Sequence, residues 1–194
     1  KDGEAVYIRA SYNPIIDENG QPYKVIKIAS DVTTLKLENA EAQSKVTAID
    51  LSQGTIEFAM DGTIITANES FLSTLGYSLD EVQGKHHSMF CDDAYAASEE
   101  YTKFWETLRS GTYHRGEFNR IGKNGRRLCI RATYNPIFNL KNEPVKVLKI
   151  ADDISKQRRM EAERDKQQAL IMEMSTPVMQ LWDNILLLPV VGLV

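Results

Sequence analysis

Two adjacent histidines and one tryptophan are the residues of this chain best suited to chemistry inside a protein. A neutral imidazole, from His86 or His87, can ligate iron and would make a haem site. We favour the alternative in which one histidine bonds backbone groups at a helix end and the other is exposed. Trp105 is spaced with Phe104 and Leu108 as on one face of a helix, which is the usual pattern of a core indole.

Catalytic motifs are missing from the sequence. Its three histidines, His86, His87 and His114, stand in no recognisable Ser/His/Asp or Cys/His motif. The glycines lie at predicted turns and form no P-loop, and no histidine-kinase phosphoacceptor motif follows the last charged helix. We therefore expect that this chain is not an enzyme.

Composition excludes some classes of partner. The net charge of −4 and the pI of about 5.5 offer no basic face, so nucleic-acid binding is not expected. Cys91 and Cys129 lack metal-ligand spacing and read as reduced, buried thiols of a cytoplasmic protein. The apolar run at residues 185–194 contains Pro189 and is half the length of a membrane span of about twenty residues, so no membrane segment is expected.

An internal repeat organises the chain. Residues 1–33 align without a gap on residues 123–155, and sixteen of the 33 positions are identical, including YNPI at 12–15 and 134–137. An offset of 122 residues is that of one small domain plus a connector. The sequence therefore predicts the last strands of one domain, followed by the whole of a second.

Local signals place the elements of the second domain. Asp61-Gly62 supplies a tight hairpin turn, Ser78 with Glu81 forms a capping box, and Ser98 caps a helix that carries Trp105. Strands follow at residues 113–120, 126–138 and 144–152. Residues 34–50 and 156–174 read as helices with sparse heptad stripes; for the first of these, a dimer seam and packing on its own domain are equally compatible with the sequence.

The order of these signals resembles the PAS sensor family, through FAMDGTIITANESFLSTLGYSLDEVQGKHHSMF at 58–90 and the repeated YNPI strands. The resemblance implies an α+β PAS fold, a five-stranded antiparallel sheet with short flanking helices, here with helical connectors. The domain boundaries that follow are strands of a first PAS domain at 1–33, a helical connector at 34–51, a complete PAS domain at 52–155 and a second connector at 156–174.

The site residues are implied by a narrower resemblance, to the flavin-binding PAS domains of aerotaxis receptors. Trp105 in FWETLRSG matches a tryptophan that touches the flavin there, and Asn68 and His87 match other family positions. The resemblance implies FAD, with haem on His86 or His87, or no cofactor, as alternatives. Asn68 can bond a flavin ring edge or a turn backbone. The acidic pair Asp92-Asp93 after Cys91 departs from the receptor pattern, which has basic residues there. The negative charge of this pair would repel a pyrophosphate.

The tail at 175–194 resembles the entry to a STAS domain, as in stressosome sensors of the RsbR type. The resemblance rests on five residues in order, Pro177, Asp183, Leu188, Pro189 and Gly192. The whole chain then reads as a cytoplasmic, homodimeric signal-transduction sensor that detects redox state, oxygen or a small ligand and relays it to its output domain or other signalling proteins. A cofactor-free assembly module and the sensory part of a chemotaxis receptor or kinase are the alternatives.

Overall fold

The computed structural model describes residues 3, 5–174, 179–182 and 185–187. The chain divides into two compact units, Lys1–Ser52 and Gln53–Val194. The first contains an antiparallel hairpin of β1 (Ile8–Ile16) and β2 (Pro22–Asp31), followed by helix α1 (Thr33–Ser52). No residue of α1 is buried, so the predicted stripe that includes Leu35 and Ile49 is exposed within this unit.

The second unit is built on one sheet. Its strands are β3 (Gly54–Ala59), β4 (Ile64–Ala67), β5 (His114–Ile121), β6 (Arg127–Phe138) and β7 (Pro144–Asp153). They are hydrogen-bonded in the order β4-β3-β7-β6-β5, and every pair is antiparallel. Between β4 and β5 lie α2 (Glu69–Leu75), α3 (Leu79–Val82), α4 (Asp93–Ala96) and α5 (Glu99–Arg109), with a 3-10 turn at His87–Phe90. The predicted five-stranded sheet with short flanking helices is confirmed.

Gly62 makes the hairpin between β3 and β4 possible. Its φ of +91° lies in the left-handed region, and a Cβ built there would stand 2.5 Å from Nε2 of His86. Both the turn and the close approach of the imidazole therefore require glycine.

Helix α5 begins where the sequence predicts it. The hydroxyl of Ser98 accepts a hydrogen bond from the backbone N of Tyr101 and caps the first turn of the helix.

The core lies between the sheet and the helices. The predicted stripe of α5 is buried as a unit, with Tyr101, Phe104, Trp105 and Leu108 all facing the sheet. Strand β6 alternates across its length, so that Leu128, Ile130, Ala132 and Tyr134 point inward. The interior is rich in aromatic side chains, and it also encloses a histidine and two long basic side chains.

Helix α6 (Ser155–Met174) continues directly from β7. Beyond it, β8 (Met179–Trp182) and β9 (Ile185–Leu187) pair with each other in a separate two-stranded sheet. The residues on which the STAS resemblance rests lie outside the described residues. Within the described part of the chain, no helix is both long and apolar enough to cross a membrane.

Candidate functional site

His87 occupies the centre of the core. The 3-10 turn that begins at this residue points its side chain inward, and the side chain is completely buried. Nδ1 lies 2.9 Å from the hydroxyl of Tyr101 and Nε2 lies 3.1 Å from the hydroxyl of Tyr134. Burial, with the nearby charge of Arg120, holds the pKa of His87 well below its usual range. The imidazole is therefore neutral, with one donor and one acceptor nitrogen.

Arg120 continues this chain of hydrogen bonds towards the surface. Its Nη2 donates to the Tyr134 hydroxyl at 3.3 Å, and its Nη1 donates to the carbonyl of Asn119 at 2.8 Å. Because the Tyr134 oxygen accepts from Arg120, the Tyr134 proton can be donated to Nε2 of His87, and Nδ1 then donates to Tyr101. Nε of Arg120 is buried and has no hydrogen-bond partner among the described residues.

Lys149 is the other long basic side chain of the core. It points inward from β7, directly opposite Tyr134 in the strand register, and none of it is exposed. Its Nζ lies 4.9 Å from the ring centroid of Tyr134 and 5.4 Å from that of Phe71, and it makes no hydrogen bond within the described residues. Burial, with the nearby charge of Arg120, holds the pKa of Lys149 well below its usual range.

The buried polar side chains among the described residues are Thr55, His87, Arg120 and Lys149, and none is a carboxylate. The core therefore contains two basic groups without a buried acid to neutralise them. Buried charges are normally paired, and an unsatisfied donor costs free energy. This imbalance is the chemical signature of the site, and we call His87, Arg120, Tyr134 and Lys149 the basic core cluster.

Asn68 has a backbone role. Its Oδ1 accepts hydrogen bonds from the backbone N of Phe71 and of Thr55, both at 2.9 Å, and its Nδ2 donates to the carbonyl of Gln53 at 2.8 Å. These bonds cap α2 and tie it to β3. The sequence left two roles open for Asn68, bonding a flavin ring edge or bonding a turn backbone. These hydrogen bonds match the second role.

His86 and Trp105 lie next to each other at the edge of the core. His86 is exposed and accepts from the backbone N of Ser88, while its Nε2 lies 2.9 Å from the carbonyl oxygen of Asp61. From the sequence, one histidine was expected to bond backbone groups and the other to be exposed. His86 does both, whereas His87 is buried and bonds two tyrosine hydroxyls. Trp105 is 3% exposed and packs edge-on against Phe58 at a centroid distance of 5.9 Å.

A flavin ring does not fit this packing. The volume around His87 is filled by the rings of Phe58, Phe90, Tyr101, Phe104, Trp105 and Tyr134, with centroids 5.2–6.5 Å from the imidazole. An isoalloxazine would have to displace several of them. Both ring nitrogens of His87 already have hydroxyl partners, and the described residues contain no cluster of three His, Cys, Asp or Glu side chains placed to hold a metal ion.

Two surface clefts meet at Arg120. One, of about 530 Å³, is lined by Tyr95, Phe104, His114 and Phe118 and by the acidic residues Asp92, Glu100 and Glu117. The other, of about 540 Å³, lies between the ends of β5 and β6 and the first turns of α6, and includes Cys129, Ser155 and Arg158. Arg120 is therefore the side chain through which solvent-facing clefts reach the basic core cluster.

The fold and its order of elements match one family. The profile of the PAS domain family covers residues 53–156, more than half of the chain. This chain belongs to the PAS domain family. The biofilm dispersion protein BdlA of Pseudomonas aeruginosa is 37% identical over 166 residues, which are 85% of this chain and 40% of BdlA. This PAS chain therefore spans less than half the length of that curated relative.

Solved structures agree with the PAS fold. A PAS domain from Colwellia psychrerythraea superposes with a TM-score of 0.52 and 23% identity, covering 59% of this chain and 98% of its own. A light-oxygen-voltage domain studied with a flavin analogue superposes with a TM-score of 0.51 and 19% identity, covering 65% of this chain and 96% of its own. At these identities the likeness is one of fold.

Sequence reasoning missed three members of the basic core cluster, Arg120, Tyr134 and Lys149. A signal for two of them was present in the repeat. Tyr12 and Lys27 are related in the first copy as Tyr134 and Lys149 are in the second, and the Nζ of Lys27 lies 5.4 Å from the ring centroid of Tyr12. A lysine kept opposite a tyrosine in both copies marks this position as distinct from an ordinary solvated strand residue.

Proposed function

We propose that this chain is the sensor part of a signal-transduction protein, in which a change in the PAS core is passed to helix α6. The observation that carries the proposal is the position of Glu117 on β5. Its neighbours on the inner face of this strand are Phe118 and Arg120, whereas Glu117 lies on the outer face. There its carboxylate binds Arg158 of α6 and Arg131 of β6. One strand thus contacts both the basic core cluster and the helix.

The start of α6 is also fastened to the sheet. Ile154 is buried, and its backbone N donates to the carbonyl of Cys129 at 2.9 Å. The hydroxyl of Ser155 accepts from the backbone N of Cys129 at 2.9 Å, and the carboxylate of Asp153 accepts from the backbone N of Ser155 at 2.8 Å. A displacement of β5 or β6 is therefore transmitted to the first turn of α6 through bonds on both sides.

Replacing Glu117 by glutamine tests this coupling. Hydrogen bonds from Arg158 and Arg131 lower the pKa of Glu117, so the carboxylate is charged at neutral pH and the substitution removes its charge. We expect faster amide hydrogen exchange in the first two turns of α6 and unchanged exchange in β3 and β7. Glu57→Gln is the matched control, because Glu57 pairs with Lys146 in the same sheet, away from α6. Equal exchange in α6 for both variants would contradict the relay.

The wider architecture is part of the proposal. The similarity to BdlA extends over 166 residues, beyond the 104 residues from 53 to 156, which supports a longer signalling protein. We propose that residues 1–33 come from a preceding PAS domain, that an output domain such as STAS follows, and that the module is cytoplasmic and not itself an enzyme. An energy-taxis receptor or a kinase is the alternative setting. Expression of the full-length protein identifies the output domain.

We further propose that the module forms a homodimer through the connector helices. Leu35, Val46 and Ile49 of α1 are exposed, and no residue of that helix is buried in its own unit. An apolar stripe of this kind is stabilised by a partner helix. Sedimentation should give a dimer, weakened by charged substitutions at Val46 and Ile49; a monomer of the unmodified chain at high concentration would refute this.

The cofactor state that fits the filled core is one without flavin or haem. Every residue that the sequence suggested as a cofactor ligand is packed against or hydrogen-bonded to protein groups: Trp105, Asn68, His87 and His86. A purified protein without absorbance in the flavin or Soret region is the expected result. Flavin absorbance that is lost in Trp105→Ala would instead support the flavin site, and would require the aromatic core to open around the ring.

A further inference from the structure

We infer that the PAS core binds a small carboxylate-like anion, held by Lys149 and Arg120 beside Tyr134. This inference rests on the proposed sensor function and names the chemical class that the core would detect. It begins from the two unpartnered donors of the basic core cluster, Nζ of Lys149 and Nε of Arg120. Lys149 is wholly buried and Arg120 is 3% exposed, so bulk water does not satisfy them.

The electrostatics select an anion over a neutral ligand. Val147 and Ala151 lie on the inner face of strand β7, so an apolar residue would be expected between them. Lys149 occupies that position instead. No carboxylate is buried among the described residues to balance Lys149 and Arg120. In the absence of such a charge, burial lowers the pKa of Lys149 and favours the neutral amine. An anion placed near both groups would restore the ammonium and satisfy the donors that the fold leaves open.

The geometry limits the anion to a small one. The aromatic rings around His87 leave no room for a large planar ligand, but a carboxylate has two oxygens that match the planar donors of a guanidinium. The cleft between the ends of β5 and β6 and the first turns of α6 reaches Arg120 from solvent, and its lining includes four more arginines, Arg126, Arg127, Arg158 and Arg159, against one acidic residue, Asp92. A small anion can therefore approach Arg120 from this cleft, and binding to Lys149 as well requires the surrounding rings to move.

The first repeat contains the same pairing of a lysine with a tyrosine. Lys27 stands opposite Tyr12 in the strand register, as Lys149 stands opposite Tyr134. In both copies the lysine Nζ lies over the tyrosine ring, at 5.4 Å and 4.9 Å from the centroid. The pair is exposed in the first copy and buried in the second, so only Lys149 occupies a position where an apolar residue would be the expected choice for stability alone.

Acetate is the probe, with chloride and phosphate at matched ionic strength as comparisons. For the unmodified chain we expect a saturable rise of several degrees in melting temperature with acetate, and no such rise with chloride. Lys149→Met should melt higher than the unmodified chain without acetate, because an unpaired buried amine is removed, and should lose the acetate-dependent rise. Lys146→Met, on the same strand but in a partly exposed ion pair with Glu57, should keep it.

Calorimetry on the unmodified chain provides a second readout that needs no variant. Because a bound acetate would raise the lowered pKa of Lys149, protons should be taken up on binding, measured from heats in buffers of different ionisation enthalpy. An acetate response that Lys149→Met retains, a response that chloride reproduces, or binding without proton uptake overturns the inference. A response to phosphate alone would replace the carboxylate by a larger oxyanion and overturn the stated class.

The two proposals fail separately. If acetate does not bind but Glu117→Gln still loosens α6, the anion inference is wrong and the relay stands. If acetate binds with proton uptake but α6 exchanges alike in Glu117→Gln and in its control, the core has the site and the relay is wrong.

Discussion

Replacing Trp105 by alanine is expected to lower the free energy of unfolding by about 3–5 kcal/mol. The indole is 3% exposed and contacts three other rings of the core, those of Phe58, His87 and Phe104, at centroid distances of 5.5–5.9 Å. Its removal leaves a cavity that the surrounding rings cannot fill without leaving their own positions. For a domain of ordinary stability this loss is a large part of the total.

Urea unfolding of the variant measures this loss, and Tyr113→Ala is the matched control. Tyr113 is an aromatic residue close in sequence but 64% exposed, so its substitution should change the free energy of unfolding by less than about 0.5 kcal/mol. If Trp105→Ala melts at the same temperature as the unmodified chain yet loses a bound chromophore, the indole is a ligand contact and not a core residue.

Acidification is expected to destabilise the ligand-free protein well before its carboxylates are protonated. The pKa values of His87 and Lys149 are both held well below their ordinary 6.5 and 10.5, so folding disfavours a proton on either group. The unfolded chain binds a proton at Lys149 throughout the neutral range and a second at His87 below about pH 6.5. On acidification, stability therefore falls by up to about 1.4 kcal/mol per pH unit for each such proton, until the folded-state pKa of that group is reached.

Urea unfolding at several pH values between 5.5 and 8 tests the sign and the slope. The slope should increase below about pH 6.5, where His87 joins Lys149. His87→Phe keeps an aromatic ring without a titrating group and should lose that increase, whereas His114→Gln should retain it. Direct measurement of the His87 pKa by NMR gives the same answer without a substitution. A slope that stays flat across the range would show that the folded chain protonates both groups.

The repeat and the local signals were sufficient to predict the sheet, because strand periodicity, the Asp61-Gly62 turn and the α5 stripe all agree on it. Sequence alone did not decide between His86 and His87. Adjacent residues point in different directions in a 3-10 turn, and only the tertiary contact of the turn with α5 and β6 determines which imidazole is enclosed. Local sequence patterns carry no information about that contact.

The burial of Lys149 and Arg120 was not predicted from the sequence, for a different reason. Lysine and arginine in a strand are normally solvated, and both faces of β7 carry apolar residues, so alternation does not assign Lys149 to the inner face. Arg120 lies near the end of β5, where long side chains usually reach solvent. Their burial depends on Tyr134, whose ring and hydroxyl contact both groups from the neighbouring strand β6.

The two outer strands of the five-stranded sheet have a consequence for aggregation. Strand β4 has only four residues, and the segment at 83–86 bonds its outer edge through the backbone of Ile64. Strand β5, at the other edge, carries Arg115, Glu117 and Arg120. Short length, cover and charge all discourage the addition of a strand from another molecule. Concentrated solutions of this domain should therefore resist growth into cross-β assemblies along either edge.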